Sequence, residues 1–264
     1  MHAEITFPLH AQRGAAYLTA PNIPARHAFS TRLGGVSTGV LESLNLSVRR
    51  GDTPENVREN WRRLGAAAGL DLTRAVYAKQ VHSADVRIAH AADAQPPEHE
   101  PRFTCDGFVT NEPDVPLAVF MADCLPALLH DPAAGVIGAV HCGSVADILG
   151  AAVAQMCALG AHPADIRAAI GPGIGACCFE VGPEVVAAAE ALLHEPLGTL
   201  VRPTAGDRAL LDLKRVNALR LTQLGVPAEQ IAVSDACTMC RPDVFWSHRA
   251  TDGRRGVQAA VITL

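Results

Sequence analysis

The side chains best suited to chemistry in this sequence stand where apolar runs end. In "PLAVFMADCLPALLHDP" the run over residues 117–122 stops abruptly on Asp123 and Cys124, and in "GVIGAVHCGSV" a second run stops on His141 and Cys142. The intervening "DPAAG" is a turn signal, so the two segments read as an antiparallel hairpin. With a four-residue loop over residues 131–134, His130 faces Gly135 and Cys124 lies across from His141. Cross-strand neighbours hold their Cβ atoms about 4.5–5.5 Å apart, so this thiolate and imidazole can share one cation. Pro126 interrupts the ladder, and a register slip would make the pair diagonal without separating it. His82 in "KQVHSADV" is the leading candidate for a third ligand, because it also punctuates a strand-like segment; His27 and His248 are its rivals. Two imidazoles and one thiolate leave a fourth position on zinc open, as catalytic sites do. The same groups suit a cysteine hydrolase, with Cys124 as nucleophile and His141 as its base.

Three further motifs carry less. Cys237-Thr-Met-Cys240 is a single CxxC without a second pair at zinc-finger spacing, and it reads as structural. "GPGIG" before Cys177 and Cys178 lacks the GxGxxG and Walker spacings, so a tight turn is expected rather than a phosphate nest. Asp123 either orients a ligand or caps a strand.

The elements that must position these groups follow from local pattern. Thr53-Pro54-Glu55 opens a helix that runs to about Leu70. Ser144 and Asp147 form a capping-box-like start for the helix in "VADILGAAVAQMCAL", which Gly160 and Pro163 end. Further helices are expected over "PEVVAAAEALL" and over residues 209–224. Strands are expected in "HAFS", around Gln80, in "IRAAI", in "IAVSDACT" and in "GVQAAVITL". The polar, proline-rich "AADAQPPEHEPRF" reads as a loop and as the place for disorder. Without an internal repeat or a linker, residues 1–264 are expected to form one α/β domain.

Bulk composition narrows the function. Apolar residues make up 49% of the 264, enough for a sizeable core. The net charge of −5 and the absence of a basic block argue against a double-stranded nucleic acid partner. No apolar run approaches the ~18 residues of a membrane span, and no basic n-region precedes an apolar stretch at the N-terminus. The 8 cysteines are therefore expected to be reduced, in the cytoplasm.

Six segments in order, "FSTRLGGVSTG", "SLNLSVRRGDTPENVRENWRRL", "QVHSADV", "ADCLPALLHDP", "AAIGPGIGACCFEVG" and "CTMCRPDVFWSHRATDG", together resemble the YfiH/laccase-domain family. The resemblance implies an α/β fold in which sheets are sandwiched between helical layers, α/β/β/α. It also implies a zinc-dependent purine nucleoside enzyme, active in phosphorolysis of adenosine, inosine, guanosine and methylthioadenosine and in deamination of adenosine. Its metal ligands would be His82, Cys124 and His141, and its substrate contacts Arg32, Asn45 and Gln80. Copper can occupy a Cys/His site in vitro. A phenol-oxidising laccase, however, needs paired His-x-His runs, and the 11 histidines here form none. The chain departs from the family where "HAGWRG" reads "HCGSVA": Ser144 and Val145 replace a tryptophan and an arginine. Loss of an arginine that grips phosphate implies a weakened phosphate half beside an intact metal half. A metal- or nucleoside-binding protein without turnover is the remaining alternative.

Overall fold

The computed structural model describes residues 3–12, 14–143 and 145–264. Its centre is the hairpin, Leu125–Asp131 antiparallel to Val136–Cys142, buried along its whole length. Asp131 Oδ1 accepts from the amides of Ala133 and Ala134, and Gly135 takes the left-handed conformation (φ 63°). The loop therefore occupies residues 132–135, Asp131 faces Val136, and His141 faces Pro126. This corrects the expected register: Cys124 is diagonal to His141 rather than opposite it, because the Asp131 side chain starts the turn one residue late.

Arg167–Ile170 and Gly107–Thr110 flank the hairpin antiparallel. Val86–Ile88 adds parallel to Gly107–Thr110, while Ile231–Ser234 and then Glu4–Ile5 add parallel beyond Arg167–Ile170, giving seven strands. Both faces of the five inner strands are covered, which is why these strands read as nearly continuous apolar runs. Leu125, Ala127 and Leu129 pack toward the helices Ile148–Ala158, Pro183–Leu193 and Leu213–Gln223. Leu128, Ile137 and Ala169 face a second, five-stranded sheet ordered Leu9–Gln12, Ala15–Leu18, Arg26–Ser30, Gln258–Thr263 and Leu117–Met121. The outer face of that sheet, with Ala28, Ala118 and Val261, takes Val57, Trp61 and Leu64 of the helix Pro54–Ala68. The order is α/β/β/α, as expected.

Local starts and stops mostly follow the expected side chains. Thr53 caps the helix Pro54–Ala68 by accepting from the Asn56 amide. The helix Ile148–Ala158 is capped by Asp147, which accepts from the Gly150 amide and binds the Arg220 guanidinium with both oxygens; Ser144, the expected cap, lies outside the described residues. The expected helix over 209–224 divides into the strand Ala209–Leu211 and the helix Leu213–Gln223, because Asp212 caps at the Arg215 amide. Residues 91–103 are packed rather than loose: buried Gln95 donates to Tyr77 Oη and to the Glu100 carbonyl, and Glu98 pairs with Arg58 at 2.6 Å. Among the described residues no helix is long and apolar enough to cross a membrane.

Candidate metal centre

Asp106 organises the site from a fully buried position at the start of the strand Gly107–Thr110. Its carboxylate accepts from the amides of Val81, His82 and Ser83 at 2.8–3.1 Å and from Ser83 Oγ at 2.9 Å. That grip fixes the turn after Ala78–Lys79, where His82 is held at φ 63°. Asp106 Oδ1 also accepts from His141 Nδ1 at 2.9 Å, which commits the imidazole to one tautomer and leaves Nε2 as its ligand atom. Burial opposes ionisation of Asp106, but the His141 hydrogen bond and the Ser83 and Val81 amides hold it well below the usual carboxylate range.

Cys124 arrives from the loop that follows Leu117–Met121, next to Asp123 at φ 84°. The Asp123 carboxylate accepts from Thr238 Oγ1, Ser247 Oγ and the Arg249 amide at 2.6, 3.0 and 2.7 Å. Asp123 thus ties three loops together. One ligand atom from each of His82, Cys124 and His141 lies within 4.8 Å of the others. Cys124 Sγ is 3.6 Å from His82 Nε2, and the two imidazole rings are 4.9 Å apart at 71°. Gly143 closes against them: a Cβ there would stand 2.5 Å from His141 Cε1 and 2.7 Å from His82 Cδ2, so a larger residue would push both rings aside.

The electrostatics match a cation site. Burial pushes the Cys124 thiol up, but hydrogen bonding to His141 and His82 outweighs it and brings the thiol down to about 6. Burial disfavours the His141 imidazolium, yet Asp106 and Cys124 raise it to about 9. A soft thiolate beside two imidazoles suits zinc or copper and discriminates against magnesium and calcium.

These three residues line a cavity of about 480 Å³. Phe120, Met121, Ile174, Phe179 and Leu213 supply its apolar lining, and Arg49, Arg50, Arg249 and Arg255 its cationic lining. Burial, reinforced by Arg50, lowers Arg255 to about 10. Its Nη1 donates to the Gly256 carbonyl and its Nη2 to His248 Nδ1, while its buried Nε has no partner among the described residues. Held in this way at the cavity lining, the guanidinium offers its charge to an incoming anion.

The expected ligands His82, Cys124 and His141 come together; of the expected substrate residues only Gln80 joins them at the cavity. Gln80 lines the cavity, but its amide is spent on the Phe120 backbone, Nε2 donating to the carbonyl at 2.8 Å and Oε1 accepting at 2.6 Å. Arg32 does not line it; its guanidinium donates to the Pro242 and Glu42 carbonyls and lies 3.9 Å above the Trp246 ring. Asn45 is fully buried, donating to Ser47 and Asp52 and accepting from the Val257 amide. Both hold loops that border the cavity. Of the rival ligands, His27 bonds the Ala20 amide and the Ala25 carbonyl in the core, and His248 lines the cavity. Val145 packs against the core on the helical side, so no charge replaces the family arginine at that position. Sequence reasoning missed Asp106, Arg50 and Arg255. The arginine doublets in "SVRRG" and "DGRRG" were visible, but nothing in the spacing ties Asp106 to His82 and His141.

Comparison with known proteins bears on the fold and the family. A Deinococcus radiodurans protein named purine nucleoside phosphorylase is 42% identical over 255 residues, covering 95% of this chain and 94% of its own. The crystal structure of YlmD from Geobacillus stearothermophilus superposes with a TM-score of 0.89 at 34% identity, covering 97% of this chain and 98% of that one. The crystal structure of YfiH from Bacillus licheniformis superposes with a TM-score of 0.88 at 29% identity, covering 97% and 99%. The family described as multi-copper polyphenol oxidoreductase laccase matches residues 26–264. With the match spanning nearly the whole chain, this protein belongs to that laccase-domain family.

Proposed function

We propose that the chain is a zinc-dependent purine nucleoside phosphorylase acting on adenosine, inosine, guanosine and methylthioadenosine, with deamination of adenosine as a second reaction. The observation that carries this reading is the convergence of His82, Cys124 and His141 within 4.8 Å at a cavity lined by both apolar side chains and arginines. Its volume of about 480 Å³ falls in the usual range for small-molecule sites. The names of the relatives in Deinococcus and Geobacillus favour the same reaction class.

Zinc held by these three ligands would supply Lewis acidity through its open position. The remaining work falls to the chain. Arg50 and Arg255 bind phosphate by charge-assisted hydrogen bonds, in place of the arginine that Val145 displaces. Met121, Ile174, Phe179 and Leu213 surround the nucleoside and exclude competing water. In the reaction a phosphate oxygen bonds to C1′ as the bond from C1′ to the purine nitrogen breaks. The purine leaves with that electron pair and takes up a proton. Asp106 keeps His141 and the His82 turn in place throughout.

The test is metal analysis combined with an adenosine assay, with and without phosphate. Adenine and ribose 1-phosphate are expected with phosphate, inosine without it, and neither after chelation until zinc is restored. No product from any of the four nucleosides would leave only a binding protein without turnover or a cysteine hydrolase of another substrate. One observation favours a second reading: a Cys124 thiol at about 6 beside His141 has the makings of a cysteine hydrolase. That reading requires activity to survive chelation and to be lost on alkylation of Cys124.

A further inference from the structure

Arg167–Ile170 and Ile231–Ser234 are parallel neighbours, so the loops that follow them leave the sheet together. The first carries "GPGIGACC" and the second "DACTMC". Their backbones continue the pairing beyond the strands, with the Thr238 amide donating to the Gly173 carbonyl at 3.0 Å and a bridge between Gly173 and Cys237. The first loop then folds back on itself, the amides of Cys178 and Phe179 both donating to the Gly175 carbonyl. The result brings Cys177, Cys178, Cys237 and Cys240 together, with all four sulfurs within 4.8 Å of one another.

We propose that these four cysteines form a second metal site, a closed tetrathiolate that takes a zinc-class divalent cation and fastens the two loops. A tetrahedral centre with zinc–sulfur bonds of about 2.3 Å requires sulfur–sulfur edges of about 3.8 Å. Cys240 Sγ stands 3.5 Å from Cys177 Sγ and 3.4 Å from Cys178 Sγ, close to those edges and far beyond the ~2.05 Å of a disulfide. The Gly175 amide donates to Cys237 Sγ at 3.2 Å, an interaction that favours the thiolate over the thiol. Four soft ligands from protein leave no position for substrate, and none of the four cysteines lines the cavity. Binding exchanges thiol protons for the cation; the protons pass to solvent and no oxidation state changes.

The site has a stated mechanical role. Thr238, between the two cysteines of the CxxC, donates to Asp123, whose neighbour is Cys124. Phe179, next to Cys178, belongs to the apolar lining. The cation would hold that lining, and it does so whether or not the cavity phosphorolyses nucleosides. The CxxC lacked an obvious partner in sequence because the second pair is vicinal, Cys177-Cys178, rather than another CxxC.

The test counts zinc by plasma mass spectrometry in wild type, in His82→Ala/His141→Ala and in Cys178→Ser/Cys240→Ser, each purified with zinc present. The histidine variant, which keeps all four cysteines, is expected to retain one zinc. Loaded with cobalt instead, it is expected to show the intense near-ultraviolet sulfur-to-cobalt band of a tetrahedral thiolate site. The double serine variant is expected to bind one zinc fewer than wild type. A folded histidine variant without zinc, or disulfides among the four cysteines by intact mass, would overturn the proposal. Failure of the catalytic reading would leave the zinc count of the histidine variant unchanged, so the two outcomes separate.

Discussion

The His82–Cys124–His141 cluster and the four-cysteine cluster share a loop system yet differ in every feature that matters for chemistry. Asp123 links them, preceding Cys124 in the chain and accepting from Thr238 within the CxxC. The first cluster has three ligand groups, borders a cavity of about 480 Å³ and faces arginines. The second has four sulfurs and no side chain in that cavity. Backbone strain divides the same way. His82 within the first cluster and Asp123 beside its Cys124 are non-glycine residues in the left-handed region, whereas none of the four cysteines has a positive φ. Such strain concentrates where surrounding structure over-determines a functional geometry. Ligand number and access, rather than the presence of cysteine, separate a reactive centre from a fastening.

The comparison breaks most sharply at the ligands themselves. Replacing His82 or His141 by alanine should lower kcat/KM by more than about 100-fold, since even a residue that only orients a metal ligand costs about 10–100-fold. The melting temperature should fall less than in Cys178→Ser/Cys240→Ser, where two loops lose their tie. Steady-state kinetics and thermal melts of the same preparations check both halves. A larger melting loss in the histidine variants would invert the roles assigned to the two clusters.

A smaller effect is expected one layer out. Asp106→Asn keeps the shape but loses the charge that orients His141, and should weaken metal affinity by about 10–100-fold. The metal-free protein gives a second signature. His141 is raised from its ordinary value of about 6.5 to about 9, so its share of the pair's stabilisation is complete below roughly pH 6.5 and lost as pH rises through about 9. Asp106 is held below its ordinary value of about 3.9, so its share is lost as pH falls from there. The melting difference between wild type and Asp106→Asn should therefore be greatest at about pH 4–6.5 and shrink above about pH 9. A difference that grows with pH would mean that His141 is neutral in the metal-free fold.

How much of this was legible in sequence depended on how local the cause was. The helix Pro54–Ala68 announced itself because cap, first-turn proline and apolar stripe lie within the segment. Cys124 and His141 were legible as neighbours because one turn joins their strands, and the register error traces to a single side chain, Asp131, that delays the turn. His82 lies 42 residues before Cys124 and shares no turn with the hairpin, so its place at the end of a strand-like segment ranked it over His27 and His248 without bringing it to the pair, which the family resemblance did. Asp106 was invisible because its importance lies in three amides 23–25 residues away and an imidazole 35 residues away. The grouping of the four cysteines was hidden for a related reason: two parallel strands bring its halves together across 62 residues.

The smallest effect tests which arginines meet substrate. Family position pointed to Arg32, whereas it is Arg255 that lines the cavity. Arg255→Ala should raise the KM for phosphate by roughly 10–100-fold, the equivalent of one hydrogen bond to a charged group at about 1.5–3 kcal/mol. Arg32→Ala removes two carbonyl contacts and the stacking on Trp246, and should cost about 1 kcal/mol of stability while leaving that KM unchanged. The pair of variants is read by phosphate titration of the rate alongside denaturant melts. A phosphate KM that responds to Arg32 and ignores Arg255 would move the anion site out of the cavity and onto the Trp246 face. The division between scaffold arginine and cavity arginine would then be reversed.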